Sequence, residues 1–164
     1  MSSSADTQDL MHSLANKDVL VIGLGSSGLA AAHLLQRRES SVTVIDQADT
    51  PALQRESARL RDLGITVHLG ISSAPNHAFD LAVLSPGVPA KSKLVREVAA
   101  RNVPVIGELE LGFQNSRCLN VAITGTNGKT TTTELIARML THCHRKTVAA
   151  GNIGLPLCEV IDQT

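Results

Sequence analysis

The amino-acid sequence predicts an α/β fold: a mostly parallel sheet with helices on its faces, followed by a second and shorter α/β unit. Three observations carry that expectation. Short apolar, β-branched runs alternate with stretches of helical periodicity, and strands that alternate with helices pair in parallel. Two glycine-rich loops, GLGSSG at 23–28 and GTNGKTT at 125–131, each stand between a strand-like run and a helix-like stretch. The strand–loop–helix order also starts again near Asn120 after running its course once.

Residues 1–16 are small and polar and read as a flexible N-terminal segment. Residues 19–22 (VLVI) form a continuous apolar run closed by Gly23, the mark of a buried strand. A helix follows over 28–38, with Leu29, Ala32 and Leu35 or their neighbours turned inward, and then a second strand at 42–45 that ends at Asp46. Thr50 can cap the next helix, Pro51 takes the first helical position where its missing N–H costs nothing, and Gly64 terminates. Strands at 65–69 and 80–84 come next, and the segment between them, GISSAPNHAF, has no helical pattern. That crossover is therefore short or irregular. Ser85-Pro86-Gly87 marks a turn. A helix over 92–101, a strand at 103–106 and a short helix near 108–113 close a first domain at 17–116.

The second unit, 117–164, holds a strand at 120–124, a loop, a helix over 130–143, a strand at 146–149, the stretch GNIGLP and a final helix. So short a piece rarely closes an α/β core, and the sequence reads as the beginning of a domain and not the whole of it.

Composition narrows the function. Among 164 residues, 15 basic and 15 acidic side chains cancel, so no overall field recruits nucleic acid or an anionic membrane. Phe79 and Phe113 are the whole aromatic complement, which leaves no stacking platform for single-stranded nucleic acid. Cys118, Cys143 and Cys158 make an odd count without CxxC spacing, fitting a reducing cytoplasm better than a disulfide framework. The N-terminus lacks the apolar core of a secretory signal, and no apolar run approaches the roughly 20 residues of a membrane span. Cytoplasmic location, without nucleic-acid or membrane partners, is the expectation. Cys118 and Cys158 fall in apolar surroundings and are expected in the core. His33 and His68 are expected to pack. His142-Cys143-His144 reads as a solvated helix end and not as a metal cluster. Arg37, Arg38, Arg55, Arg59 and Arg61 read as solvated helix faces.

Gly23, Gly25 and Gly28 match GxGxxG between a strand and a helix, with Asp46 eighteen residues beyond Gly28. Such a Rossmann-like turn lets a diphosphate rest on the helix N–H groups, while an acid at the end of the second strand accepts from ribose or base. The competing reading is a glycine turn needed only for close helix–strand packing, and the strand–helix context with Asp46 favours the diphosphate. NAD would be the usual ligand, but no placed His or Arg downstream supports hydride transfer. An NAD-dependent oxidoreductase is accordingly disfavoured.

Gly125, Thr126, Asn127, Gly128, Lys129, Thr130 and Thr131 follow a strand and open a helix as a P-loop does. Backbone N–H groups can cradle β- and γ-phosphates, Lys129 places its charge on them, and the Thr130 hydroxyl can ligate Mg²⁺. The strict GxxxxGK[ST] pattern would require glycine at 123, where this chain has Ile123. The loop is a shortened variant, and an ATP-binding domain is the expectation.

ITGTNGKTTT and GNIGLP resemble the Mur ligase family, the ATP-dependent amino-acid ligases of bacterial cell-wall synthesis. With GLGSSG, Asp46, SPGVP at 85–89 and GELEL at 107–111, the resemblance is strongest to the members that add D-glutamate, and it runs from Lys17 to the last residue. It implies a reaction with three small-molecule substrates: ATP, UDP-N-acetylmuramoyl-L-alanine and D-glutamate. ATP phosphorylates the alanyl carboxylate to an acyl phosphate, and the D-glutamate amine then attacks. It also assigns the first loop to the UDP end: Ser26 and Ser27 to the diphosphate, Asp46 and Gln47 to the uridine, with Gly23, Gly25, Gly28, Ser85 and Gly87 shaping the site and Asn152 meeting the substrate across the cleft. Where relatives often carry Thr-Arg after the acid, this chain has Gln47-Ala48. Lys129 would be the catalytic group, with Mg²⁺ as cofactor, and the full-length protein a monomer. The family's remaining acid, His and Lys and its D-glutamate-binding domain would lie past residue 164, so the 164-residue chain is expected to be inactive alone. The alternative is a non-catalytic UDP-sugar-binding fragment.

Overall fold

The structure, a computed structural model, describes residues 14–152 and 154–163. Five strands, β1 (Asp18–Ile22), β2 (Ser41–Ile45), β3 (Thr66–His68), β4 (Leu81–Leu84) and β5 (Val105–Gly107), form one parallel sheet in the order β3-β2-β1-β4-β5. Strand order reverses between β1 and β4. In a parallel α/β sheet the crevice at such a switch point, outside the carboxyl ends of the strands, is where ligands bind.

The alternation of side chains along each strand divides the interior in two. Val19, Val21, Val42, Val44, Leu81 and Val83 enter one core cluster, under α1 (Ser26–Arg37) and α2 (Pro51–Asp62), with Leu34, Leu35 and Leu60 fully buried. Leu20, Ile22, Ile45 and Ala82 enter the other, under α3 (Lys93–Ala100), whose Leu94, Val95 and Val98 face the sheet. Both faces of β1 are covered, which is why its sequence is continuously apolar. Thr50 caps α2 by accepting from the Leu53 N–H at 3.3 Å, and Ser92 caps α3 through the Val95 N–H at 3.4 Å. The crossover 70–79 carries no helix. β5 begins two residues later than expected, and α4 (Glu108–Asn115) starts directly after it.

The second unit departs from expectation. Its helix forms as α5 (Lys129–His142), but no strand forms at 120–124 or 146–149. Leu119 is 99% and Val121 65% exposed. An extended segment is stable only when its N–H and C=O groups find a neighbouring strand, and the five-stranded sheet offers this segment none. Among the described residues from 117 to 155, none is buried. The expected last helix is a single turn, α6 (Leu157–Val160), and it turns back into the first unit: Cys158, Val160 and Ile161 are 0%, 3% and 6% exposed.

Three surface expectations are also corrected. Cys118 is exposed while Cys158 is buried, because only the latter lies on the turn that docks. His68 is exposed at the end of β3, on the outermost strand. Arg37 and Arg38 are not merely solvated: both bond Asp162, at 3.2 and 2.8 Å, just past α6. Arg61 likewise donates to the Val67 carbonyl at 2.8 Å.

Candidate functional site

The first glycine loop sits at the switch point. The Gly23 N–H donates to the Ile45 carbonyl at 2.8 Å, and the Ser85 N–H donates to the Ile22 carbonyl at 3.0 Å, so the ends of β1, β2 and β4 are tied together. Gly23 has φ of 95° and faces the SPGVP turn: a Cβ there would lie 2.6 Å from Val88 Cγ2 and 3.0 Å from Ser85 Cβ. A Cβ on Gly28 would lie 1.9 Å from the Gly23 carbonyl oxygen. α1 therefore starts pressed against the strand it follows, as the GxGxxG spacing requires. Gly25 precedes α1 and supplies no side-chain cap, which leaves the first-turn N–H groups, at Ser26 and Ser27, for an anion. Ser26 is exposed and Ser27 half-buried.

Asp46 does more than sequence reasoning assigned to it. Its Oδ2 accepts from the Leu24 N–H at 2.7 Å and its Oδ1 from the Ala48 N–H at 2.8 Å. One carboxylate thus braces the glycine loop and the turn after β2, with lone pairs left over for a ligand hydroxyl. Gln47 stands exposed between Asp46 and Ala48. Ser85 is buried, and Gly87 is exposed at the tip of its turn with nothing within 4 Å of where a side chain would go. All of these residues lie at one edge of the sheet.

The second loop is built differently. Gly128 takes the left-handed conformation, φ of 76°, immediately before α5, and Gly125 has φ of 144°. Lys129 bends back so that Nζ donates to the Gly125 carbonyl at 2.5 Å and to the Thr126 carbonyl at 3.4 Å. The Thr126, Asn127, Thr130 and Thr131 side chains are exposed. The loop opens onto the N-terminus of a fourteen-residue helix, whose partial positive charge and free N–H groups suit a polyphosphate. Thr130 would offer a single hydroxyl oxygen. Among the described residues, no group of three or more His, Cys, Asp or Glu side chains could hold a metal, so a Mg²⁺ ion here would take most of its oxygens from phosphate and water.

The third element is the GNIGLP stretch, of which all but residue 153 is described. Ala150 and Leu155 form an isolated bridge, and the Gly151 N–H donates to the Leu155 carbonyl at 2.9 Å. Asn152 is exposed. Cys158 is in the core as expected, but its pairing with Glu108 was not legible in the sequence. Glu108, 3% exposed, accepts from the Cys158 N–H at 2.8 Å, and the Cys158 thiol approaches the Glu108 carbonyl at 3.3 Å. Burial, reinforced by the neighbouring Glu108 carboxylate, pushes the Cys158 thiol far above its ordinary range, so it stays protonated. The hydrogen bond from Arg38 holds Asp162 below the usual carboxylate range. Burial, helped by the Arg37 charge, lowers His33. A concavity of about 400 Å³ beside α2, lined by Asp49, Gln54, Ser57, Arg61 and Leu69, contains none of the loop residues.

Two family descriptions match this chain. Residues 17–107 match the family described as Mur ligase MurD-like, N-terminal domain, and residues 123–161 match the Mur ligase middle domain. The chain is 45% identical to a UDP-N-acetylmuramoylalanine–D-glutamate ligase of Frankia casuarinae, over 91% of this chain and 32% of the relative. It is 41% identical to the ligase of the same name from Acidobacterium capsulatum, over 92% and 33%. Among solved structures, UDP-N-acetylmuramate–alanine ligase of Thermotoga maritima superposes with a TM-score of 0.53 at 26% identity, over 79% of this chain and 30% of that one. The chain spans about a third of the length of the curated relatives it matches.

Proposed function

Because the chain belongs to the MurD-like Mur ligases, we propose that it is the nucleotide-holding front of a cytoplasmic, monomeric, ATP-dependent ligase that joins D-glutamate to UDP-N-acetylmuramoyl-L-alanine. The observation that carries the proposal is the pairing of two different glycine cradles in one chain: a loop at the switch point of a parallel sheet, and a P-loop ahead of α5. In this reading the first holds the UDP end of the substrate and the second holds ATP.

The geometry supports the following roles. The N–H groups at Ser26 and Ser27 receive the diphosphate, and their hydroxyls add donors. Asp46 keeps the loop in shape and offers its remaining lone pairs to the uridine, with Gln47 beside it. Ser85 and Gly87 wall the crevice from β4, and Asn152 reaches the substrate from the GNIGLP stretch. Gly125, Thr126, Asn127 and Gly128 wrap the phosphates, with Thr131 in the first turn of α5. Lys129 exchanges its two carbonyl partners for the phosphoryl oxygens and stabilises charge as the phosphoryl group moves to the alanyl carboxylate. Mg²⁺, held through Thr130, would neutralise the phosphates. Amide formation needs groups to activate and orient D-glutamate, and the residues named here supply none. The 164-residue polypeptide is therefore expected to bind without turnover.

Calorimetric titration tests this. UDP-N-acetylmuramoyl-L-alanine should bind one to one and NADH should not. NADH binding without UDP-substrate binding would overturn the assignment. Lys129→Ala should abolish ATP binding and leave UDP-substrate affinity unchanged, since the side chain is exposed and touches only its own loop.

A further inference from the structure

We propose that α4 is the platform that places the GNIGLP stretch at the ligand edge of the sheet, and that the buried carboxylate of Glu108 is its positioning residue. All five strands are parallel, so their carboxyl ends share one edge. α4 begins on the residue after β5, which puts its first turn at that same edge, in line with the Gly23 loop and the Ser85 turn. Three close approaches then bring the ends of the stretch to this one helix. Leu109 Cδ1 lies 3.8 Å from where a Gly151 Cβ would be. The Glu108 carboxylate accepts from the Cys158 N–H at 2.8 Å. Leu157 packs onto Gly112 so closely that a Cβ there would lie 2.8 Å from Leu157 Cγ. Between these anchors Ala150 and Leu155 form a bridge, and Asn152 is exposed.

The choice of an acid at 108 is the informative feature. At 3% exposure an apolar side chain would fill the space without the cost of desolvating a charge. Only an acceptor can satisfy the Cys158 N–H and thereby fix the start of α6 in one place. Arg37 and Arg38 secure the far end through Asp162, and Arg37 also reaches the Cys158 carbonyl at 3.4 Å. The 39-residue excursion from 117 to 155, with no buried residue described, thus leaves and rejoins the first domain at fixed points on α4. Pro156, Cys158, Val160 and Ile161 are buried parts of the first domain's interior.

The functional half of this inference rests on the reading that Asn152 meets the UDP substrate; the structural half does not. Hydrogen exchange on the unliganded chain tests the latter. In Glu108→Ala the amides of Gly151 and Cys158 should exchange about tenfold faster, the loss of one buried acceptor, while β1 and β4 amides keep their protection. Glu108→Gln, whose amide oxygen still accepts, should restore it. Gly112→Ala, which wedges Leu157 from below, should loosen the same amides even if Glu108→Ala folds poorly. Unchanged exchange at Gly151 in both variants would overturn the platform. For the functional half, Glu108→Ala should weaken UDP-N-acetylmuramoyl-L-alanine binding about tenfold with Asn152 present and add nothing in an Asn152→Ala background. Additive losses would overturn positioning through Asn152. Failure of the unsubstituted chain to bind this ligand would overturn both the UDP reading and this half, leaving the exchange result to stand.

Discussion

Gly28→Ala is the sharpest perturbation the fold offers. A Cβ at 28 would sit 1.9 Å from the Gly23 carbonyl oxygen, more than an ångström inside the closest approach such atoms make, and 2.9 Å from its carbon. Relief must come from moving either α1 or the backbone of Gly23. Neither is free. The Gly23 N–H is held by the Ile45 carbonyl at 2.8 Å, and the other side of Gly23 is pressed against Val88 and Ser85. α1 is anchored by Ala31, Ala32, Leu34 and Leu35, all fully buried. Overpacking a core costs about 1–3 kcal/mol when flexible side chains can yield. Here the obstacle is main chain fixed from behind, so a loss of about 3 kcal/mol or more is expected, a large share of the roughly 5–15 kcal/mol of a typical domain.

Urea denaturation measures this, with Gly64→Ala as control. Gly64 has φ of 81° and nothing within 4 Å, so its substitution carries only conformational strain, about 1–2 kcal/mol. The expected order is therefore Gly28→Ala well below Gly64→Ala in midpoint, at equal slope. Calorimetry should also find UDP-substrate affinity lost in Gly28→Ala, since the clash displaces the loop that offers the N–H groups, and kept in Gly64→Ala. A Gly28→Ala protein within about 1 kcal/mol of the parent, and with full affinity, would refute the close approach.

Two further outcomes follow from hydrogen bonding and charge. In Asp46→Asn an NH₂ replaces one of the two oxygens that accept from Leu24 and Ala48, setting donor against donor. About 1–3 kcal/mol of loop stability should be lost, and UDP-substrate affinity should fall about tenfold; unchanged affinity would show that the brace is dispensable. Asp162 has its pKa lowered in the folded state by Arg38, so its contribution is complete above the unfolded carboxylate value near ~4 and disappears as pH falls through the lower folded one. Its side chain is 44% exposed, and solvent screening limits the effect to within about 1 kcal/mol. Denaturation at about pH 6 and about pH 3 should reveal that increment in the parent and not in Asp162→Asn.

The first domain was legible because its signals are local. VLVI and LAVL are apolar on every residue because helices cover both faces of the sheet. Thr50-Pro51 and Ser92 announce helix starts by chemistry contained in four residues, and the two glycine loops declare themselves by spacing. The strands at 120–124 and 146–149 carried the same local pattern and did not form, since a strand is completed by its neighbour and none is available to them here. Cys118 and Cys158 lay in similarly apolar sequence, and docking alone put one outside and the other in the core.

What the sequence determined, then, was the alternation of strand and helix, the place of each glycine cradle and the family to which the chain belongs. The tertiary structure decided everything that depends on residues far apart in the chain. It made Asp46 a brace, because Leu24 comes back within 2.7 Å of it across the sheet. It made Glu108 an anchor, because Cys158, fifty residues on, folds onto α4. It turned Arg37 and Arg38 from a surface charge pair into a clasp on Asp162. Backbone periodicity is written in neighbouring residues, whereas the partner of a buried polar group is chosen only when the chain has closed on itself.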